Sequence, residues 1–177
     1  MRDDDGPDLS APLFQEPPDG LDEAWTWGFL TGGIASADPE QPADEFLLAA
    51  NALVEAALAE MDSAYRYRNA VLYLYRHALE LYLKQIVRPS RGNHKLLPLI
   101  EEFEKIVRRD FNQSVPGDVM DRLREWAEQD PKSTTWRYGN EAPTDGDERW
   151  LDLHHLHAVM NYLADNFKRI RKPLHKR

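Results

Sequence analysis

The chain has 177 residues, no cysteine, 22 basic and 31 acidic side chains, and a formal net charge of -9. That length fits one domain with a sizeable core, and the lack of cysteine excludes a disulfide scaffold, a thiolate zinc site and a cysteine nucleophile. No apolar run approaches the roughly 18–20 residues of a membrane span, and the Met-Arg-Asp-Asp-Asp start is the reverse of a signal peptide, so a soluble cytoplasmic protein with no membrane partner is expected.

The charge is unevenly spread. Residues 1–60 carry one base, Arg2, against 14 acids, a net of -13, whereas residues 61–177 carry 21 bases and 17 acids, a net of +4. Pro7, Pro12, Pro17, Pro18, Pro39 and Pro42 crowd the start of the chain. This composition, with little periodicity, predicts an irregular acidic extension over residues 1–43 and a folded domain over residues 44–177. The apolar patch Trp25-Thr-Trp-Gly-Phe-Leu30 either docks on the domain or anchors a protein partner. An arm of such charge could also cover a basic surface and compete there with phosphate.

From Asp44 the pattern becomes helical: Phe46, Leu47, Ala50, Leu53, Val54, Ala57, Leu58 and Met61 recur at steps of three and four. A second helix is predicted from about Ala64 to Val87. Leu72, Tyr75, Leu79, Tyr82, Leu83 and Ile86 line one face, and Leu74 and Leu81 lie on the other. A helix apolar on two sides belongs inside a bundle. Its polar stripe holds Asn69, Tyr73, Arg76, His77, Glu80 and Lys84, with Arg76/Glu80 and Glu80/Lys84 at pairing distance along the helix. The simplest reading of this stripe is a solvated face with modest ion pairs.

After a turn at residues 88–93, Leu96, Leu97, Ile100, Phe103, Ile106 and Val107 mark a third helix, in which Pro98 must lie in the first turn. A fourth begins near Pro116 and carries Val119, Met120, Leu123 and Trp126. The last shows Leu153, Leu156, Val159, Met160, Leu163, Phe167 and Ile170, and ends in Lys168, Arg169, Arg171 and Lys172, as the helix dipole favours. Strand-like alternation is nearly absent. The expected fold is an all-α bundle of about five helices with an irregular N-terminal extension.

Residues 130–148 read as a structureless loop, a length that is usually functional or disordered. At its centre stand Trp136, Arg137 and Tyr138. Aromatic rings flanking an arginine can stack bases while the guanidinium holds phosphate; equally, the rings can fold the loop onto the bundle, leaving Arg137 as the functional group. Arg137 could also reach Glu80 and complete the polar stripe.

Gly-rich phosphate loops, a Gly-x-Ser-x-Gly elbow and Cys/His zinc spacing are all missing, so no cofactor is expected. His154, His155 and His157 open the last helix. At about 100° per residue they cannot converge on one ion, although His154 and His157 could offer two ligands. No metal site is expected.

The run Tyr73-Leu-Tyr-Arg-His-Ala-Leu-Glu-Leu-Tyr-Leu-Lys84 is similar to the second helix of HEPN domains (higher eukaryotes and prokaryotes nucleotide-binding), where an Ala-x-Glu-x-x-x-Lys type pattern recurs. Gly92-Asn-His-Lys-Leu-Leu97 resembles the start of their third helix. Trp136-Arg-Tyr138 looks like the Phe-Arg-Tyr-Pro segment of some HEPN-like proteins. The resemblance covers roughly residues 45–170.

The resemblance implies RNA or a nucleotide as partner and a homodimer with two copies facing across a cleft. Many such domains are metal-independent endoribonucleases of toxin–antitoxin, anti-phage and CRISPR systems; others only bind. Active members carry an Arg, four to six residues, then a His near the start of the last helix, a spacing that Arg149 and His154 satisfy. Trp150 stands where active members usually have a polar residue after the Arg. On this reading Arg149 and His154 are catalytic: the imidazole moves protons and the guanidinium neutralises charge on phosphate. Arg76, Glu80, Lys84, Trp136, Arg137 and Tyr138 would order the site or hold nucleic acid. The alternative from another class is a non-catalytic interaction or dimerisation module. A nucleotide-binding regulatory domain is a third.

Overall fold

A computed structural model describes residues 41–59, 64–89, 94–138 and 150–174 of the chain, so residues 1–40 of the predicted extension, with its aromatic patch, lie outside the described residues. Among the described residues there are six helices and no strand: α1 Gln41–Ala59, α2 Ala64–Val87, α3 Leu96–Phe111, α4 Gly117–Gln129, α5 Thr135–Tyr138 and α6 Leu153–Leu174. The all-α expectation holds. The 130–148 stretch differs from the expected structureless loop, because its described part closes into a turn and then α5.

Local chemistry places the ends. Arg88 adopts a left-handed conformation (φ 49°) and donates its N–H to the Lys84 carbonyl at 2.8 Å; Pro89 follows and cannot continue the helix, so α2 stops there. Asn112 closes α3 in the same way (φ 52°, ψ 38°), a conformation that asparagine tolerates better than most residues. Pro98, third in α3, sits in the first turn, where its missing N–H costs little.

The central element is α2, which packs against α1, α3, α5 and α6, while α4 packs on α3 and α1 also meets α6. Its buried residues include Val71, Tyr75, Ala78, Leu79, Tyr82, Leu83 and Ile86, with Leu72, Leu74 and Leu81 half-buried around them. Two-sided apolarity thus produces an interior helix. From α6 the core receives Leu156, Met160, Leu163, Ala164 and Phe167, the last stacking on Tyr82 and meeting Phe103 edge-on. In α3 the stripe is rotated slightly from the expected one: Leu99 is buried and Leu97 is exposed. Leu96, Leu99, Phe103 and Ile106 keep steps of three and four without Leu97.

Asp44, in the first turn of α1, joins three helices. It accepts a very short hydrogen bond from the Tyr82 hydroxyl on α2 and pairs with Lys168 on α6 at 2.7 Å. Burial pushes its carboxyl upward, but Lys168 and Tyr82 outweigh burial and hold it below its ordinary value.

Candidate functional site

Apart from the exposed Asn69, the polar stripe of α2 is buried or half-buried. Arg76 and Glu80 are 1% and 0% exposed, which overturns the reading of them as a surface ion pair. Glu80 Oε2 accepts from Arg76 Nη1 at 2.7 Å, and Oε1 from Lys84 Nζ at 2.6 Å and His94 Nδ1 at 2.9 Å. Arg76 Nη2 donates to the His94 carbonyl at 2.6 Å. Its Nε lies 2.7 Å from Asp130 Oδ2 but off the N–H line, so that contact is an ion pair without a good hydrogen bond. Two cations therefore balance two carboxylates around one buried guanidinium. Breaking such a cluster leaves an uncompensated interior charge, whereas the whole cluster adds little net stability.

The same cluster positions the segment that follows α4. Asp130 Oδ1 accepts from the backbone N–H groups of Thr134 (2.8 Å) and Thr135 (3.1 Å), which caps α5. Trp136 is then half-buried, edge-on to Trp126 with centroids 5.4 Å apart. Arg137 is exposed, with its guanidinium 5.4 Å above the Tyr73 ring. Glu80 is engaged by Arg76, Lys84 and His94, and Arg137 lies over Tyr73 instead. The side chain of Tyr138 lies outside what the structure describes.

Tyr73 stacks on His77 (5.7 Å, 7°), and His77 meets Phe46 edge-on (4.4 Å, 90°). Burial lowers the His77 pKa, with the cations Arg137, Lys84 and Arg76 adding to the effect and Glu80 opposing it. Its Nδ1 is buried without a hydrogen-bond partner among the described residues. For Glu80 burial raises the pKa, but the hydrogen bonds from Lys84 and Arg76 outweigh it and hold the carboxyl below its ordinary value.

Both shifts have the same sign in stability. A group that is harder to protonate in the folded state binds more protons when unfolded, so folding weakens as pH falls. The chain should lose stability in two stages on acidification. The first starts near the ordinary histidine value of 6.5, and the second near the ordinary glutamate value of 4.5. Urea midpoints measured from pH 8 to pH 3 should show both stages, and His77→Phe should remove the upper one.

At the start of α6, Asp152 is the cap: its Oδ1 accepts from the backbone N–H of His154 (2.8 Å) and of His155 (3.2 Å). His154 and His155 are exposed, and His157 is half-buried. Arg149 lies outside the described residues, so the structure places only the histidine of the expected catalytic pair.

One turn beyond His154, a second polar cluster ties α1, α2 and α6. The Tyr75 hydroxyl donates to Asn51 Oδ1 at 2.8 Å and lies 3.4 Å from His157 Nδ1, and Asn51 Nδ2 donates to Asn161 Oδ1 at 2.9 Å. In the sequence Tyr75 falls on an apolar face and His157 is weighed only as a metal ligand, while Asn51 and Asn161 are passed over. The available signal was a polar amide on each of two helices otherwise read for their apolar stripes: Asn51 beside Ala50, and Asn161 beside Met160. Asp130 and Asp152 were missed too, although aspartate beside a helix end is an ordinary capping signal.

Among the described residues, no three of His, Asp and Glu are grouped so as to hold a metal ion. No helix there is long and apolar enough to cross a membrane. A groove of about 550 Å³ between the start of α3 and the end of α4, lined by Lys95, Leu97, Pro98, Arg124, Ala127, Glu128 and Pro131, contains none of the expected catalytic or nucleic-acid-binding residues. Compared with known protein families, curated proteins and solved structures, the chain matches none.

Proposed function

We propose that this chain is a HEPN-like helical bundle that binds RNA and cleaves it without a metal, as a cytoplasmic homodimer in a defence or toxin–antitoxin type system. The observation that carries this reading is the exposed imidazole of His154 at the second position of the last helix, its backbone held by the Asp152 cap. The five-residue step from Arg149 places it where the resemblance expects a proton-moving histidine. Arg137, exposed over Tyr73, is the favoured phosphate contact; Lys84, half-buried and paired with Glu80, is the second cation in that role. Burial leaves Arg76 and Glu80 the ordering role. The half-buried edge of Trp136 limits it to a partial stacking surface.

A specific observation favours a second reading, the non-catalytic interaction module. Trp150 is 90% exposed and Leu151 45% exposed immediately before α6, and exposed apolar groups of this size mark interfaces.

Anisotropy of a labelled single-stranded RNA across a salt series separates the two. RNA binding predicts affinity that falls with salt at a log–log slope near -0.7 for each phosphate contact, and a slope about 0.7 shallower in Arg137→Ala. Absence of binding at low salt, with self-association that is lost on removal of residues 1–43, would support the interaction module instead.

A further inference from the structure

The cluster around His157 determines where that ring carries its proton. Asn161 Nδ2 donates to the His157 carbonyl at 2.8 Å, an acceptor with no alternative role, so the Asn161 amide has one orientation. Its Oδ1 then accepts from Asn51 Nδ2 at 2.9 Å, which turns Asn51 Oδ1 toward the Tyr75 hydroxyl. Asn161 Nδ2 also reaches Asn51 Oδ1, at 3.2 Å. Tyr75 has a single proton, and it goes to Asn51. Toward His157 Nδ1, at 3.4 Å, the phenolic oxygen can only accept. A hydrogen bond across that contact requires the neutral His157 ring to carry its proton on Nδ1 and keep its lone pair on Nε2.

We propose that His157 Nε2 is the general base of the RNA-cleaving site, with His154 as its general acid. This rests on the RNA-cleaving reading above and adds a residue to it. His154 and His157 are three positions apart on α6, which puts their Cβ atoms about 5–6 Å from each other on neighbouring tracks of the helix surface. Two imidazoles at that spacing can serve the two oxygens that exchange at one phosphorus.

His157 Nε2 takes the proton of the ribose 2′-hydroxyl, and the 2′-oxygen forms a bond to phosphorus. The bond from phosphorus to the 5′-oxygen breaks, and that oxygen takes a proton from protonated His154. The products are a 2′,3′-cyclic phosphate and a 5′-hydroxyl, with one proton transferred in at the leaving group and one taken out at the nucleophile. Tyr75, fully buried, is a positioning residue: it touches no substrate and sets the tautomer of the base.

Two measurements on the full chain test this. In long-range proton–nitrogen spectra at alkaline pH, His157 should show a protonated Nδ1 and a bare Nε2, and Tyr75→Phe should shift the ring toward the Nε2–H form. In cleavage assays, RNA with sulfur in place of the 5′-bridging oxygen has a leaving group that needs no acid. His154→Ala should lose on the order of 100-fold or more on ordinary RNA and recover most of it on the sulfur substrate. His157→Asn, which keeps a donor facing Tyr75 and so spares the fold, should be impaired on both. A wild type that cuts neither substrate overturns this pairing together with the RNA-cleaving reading. A wild type that cuts while His157→Asn cuts equally well, or a His157 ring protonated on Nε2, overturns the pairing alone.

Discussion

Replacing Glu80 with alanine should lower the unfolding free energy by roughly 3–5 kcal/mol, the cost of removing one partner from a buried charge pair. Glu80 is fully buried and accepts from Arg76, Lys84 and His94. Its loss leaves the Arg76 guanidinium, 1% exposed, with only the poorly aligned Asp130 carboxylate and the His94 carbonyl. Lys84 and His94 suffer less, because at 22% and 60% side-chain exposure they can turn to water. Lys84→Ala should cost less than Glu80→Ala but still about 1–3 kcal/mol, because it leaves the buried carboxylates of Glu80 and Asp130 sharing one guanidinium. Small domains hold about 5–15 kcal/mol in all, so the Glu80 change removes a large part of the total. The double variant Arg76→Met/Glu80→Met should cost less than the sum of its singles, since each single leaves the other charge uncompensated. Urea unfolding followed by helix signal measures all of these. A Glu80→Ala cost below about 1 kcal/mol would mean that the cluster is solvated.

The second large effect is on activity. His154→Ala should slow RNA cleavage by on the order of 10²–10⁴-fold, the usual contribution of a positioned proton donor or acceptor. Its stability should stay within about 0.5 kcal/mol of wild type, because the side chain is exposed and only its backbone is used by the Asp152 cap. Arg149→Ala should fall in the same range. The double variant should be little worse than either single, since groups that act on one transition state are strongly non-additive. Full loss of activity together with loss of fold would indicate a structural role for the pair.

Five of the six described helices are legible because each has its own apolar spacing, and the two-sided pattern of α2 already implies its interior position, whereas the four-residue α5 is too short to show a spacing. What the sequence concealed depends on contacts distant in the chain. An Arg76/Glu80 step of four looks the same on a wet helix as on a buried one. The difference is made by Asp130 and the His94 carbonyl, which arrive from after α4 and before α3. A reach of Arg137 to Glu80 is one possibility the sequence leaves open; in the fold Glu80 accepts from Arg76 and Lys84, and the Arg137 guanidinium lies over Tyr73. The tautomer of His157 is further still from the sequence, because Asn51 and Asn161, 110 positions apart, must meet before Tyr75 has an acceptor for its proton. His154 was easier, since the stripe beginning at Leu153 already placed it at a helix start facing away from the core.

The unequal charge distribution also changes what acidity means for this chain. Residues 44–177 carry 21 bases and 21 acids, a net of zero, so the whole -9 sits on residues 1–43 and phosphate is not repelled from the bundle as the total would suggest.

The central claim is that His154 makes this bundle an RNA-cleaving protein. The most direct measurement is the cleavage rate of single-stranded RNA in excess EDTA by wild type and by His154→Ala at matched folded concentration. The account predicts metal-independent cleavage by wild type, and a rate at least about 100-fold lower in the variant. Equal rates, or no cleavage by wild type, would contradict it.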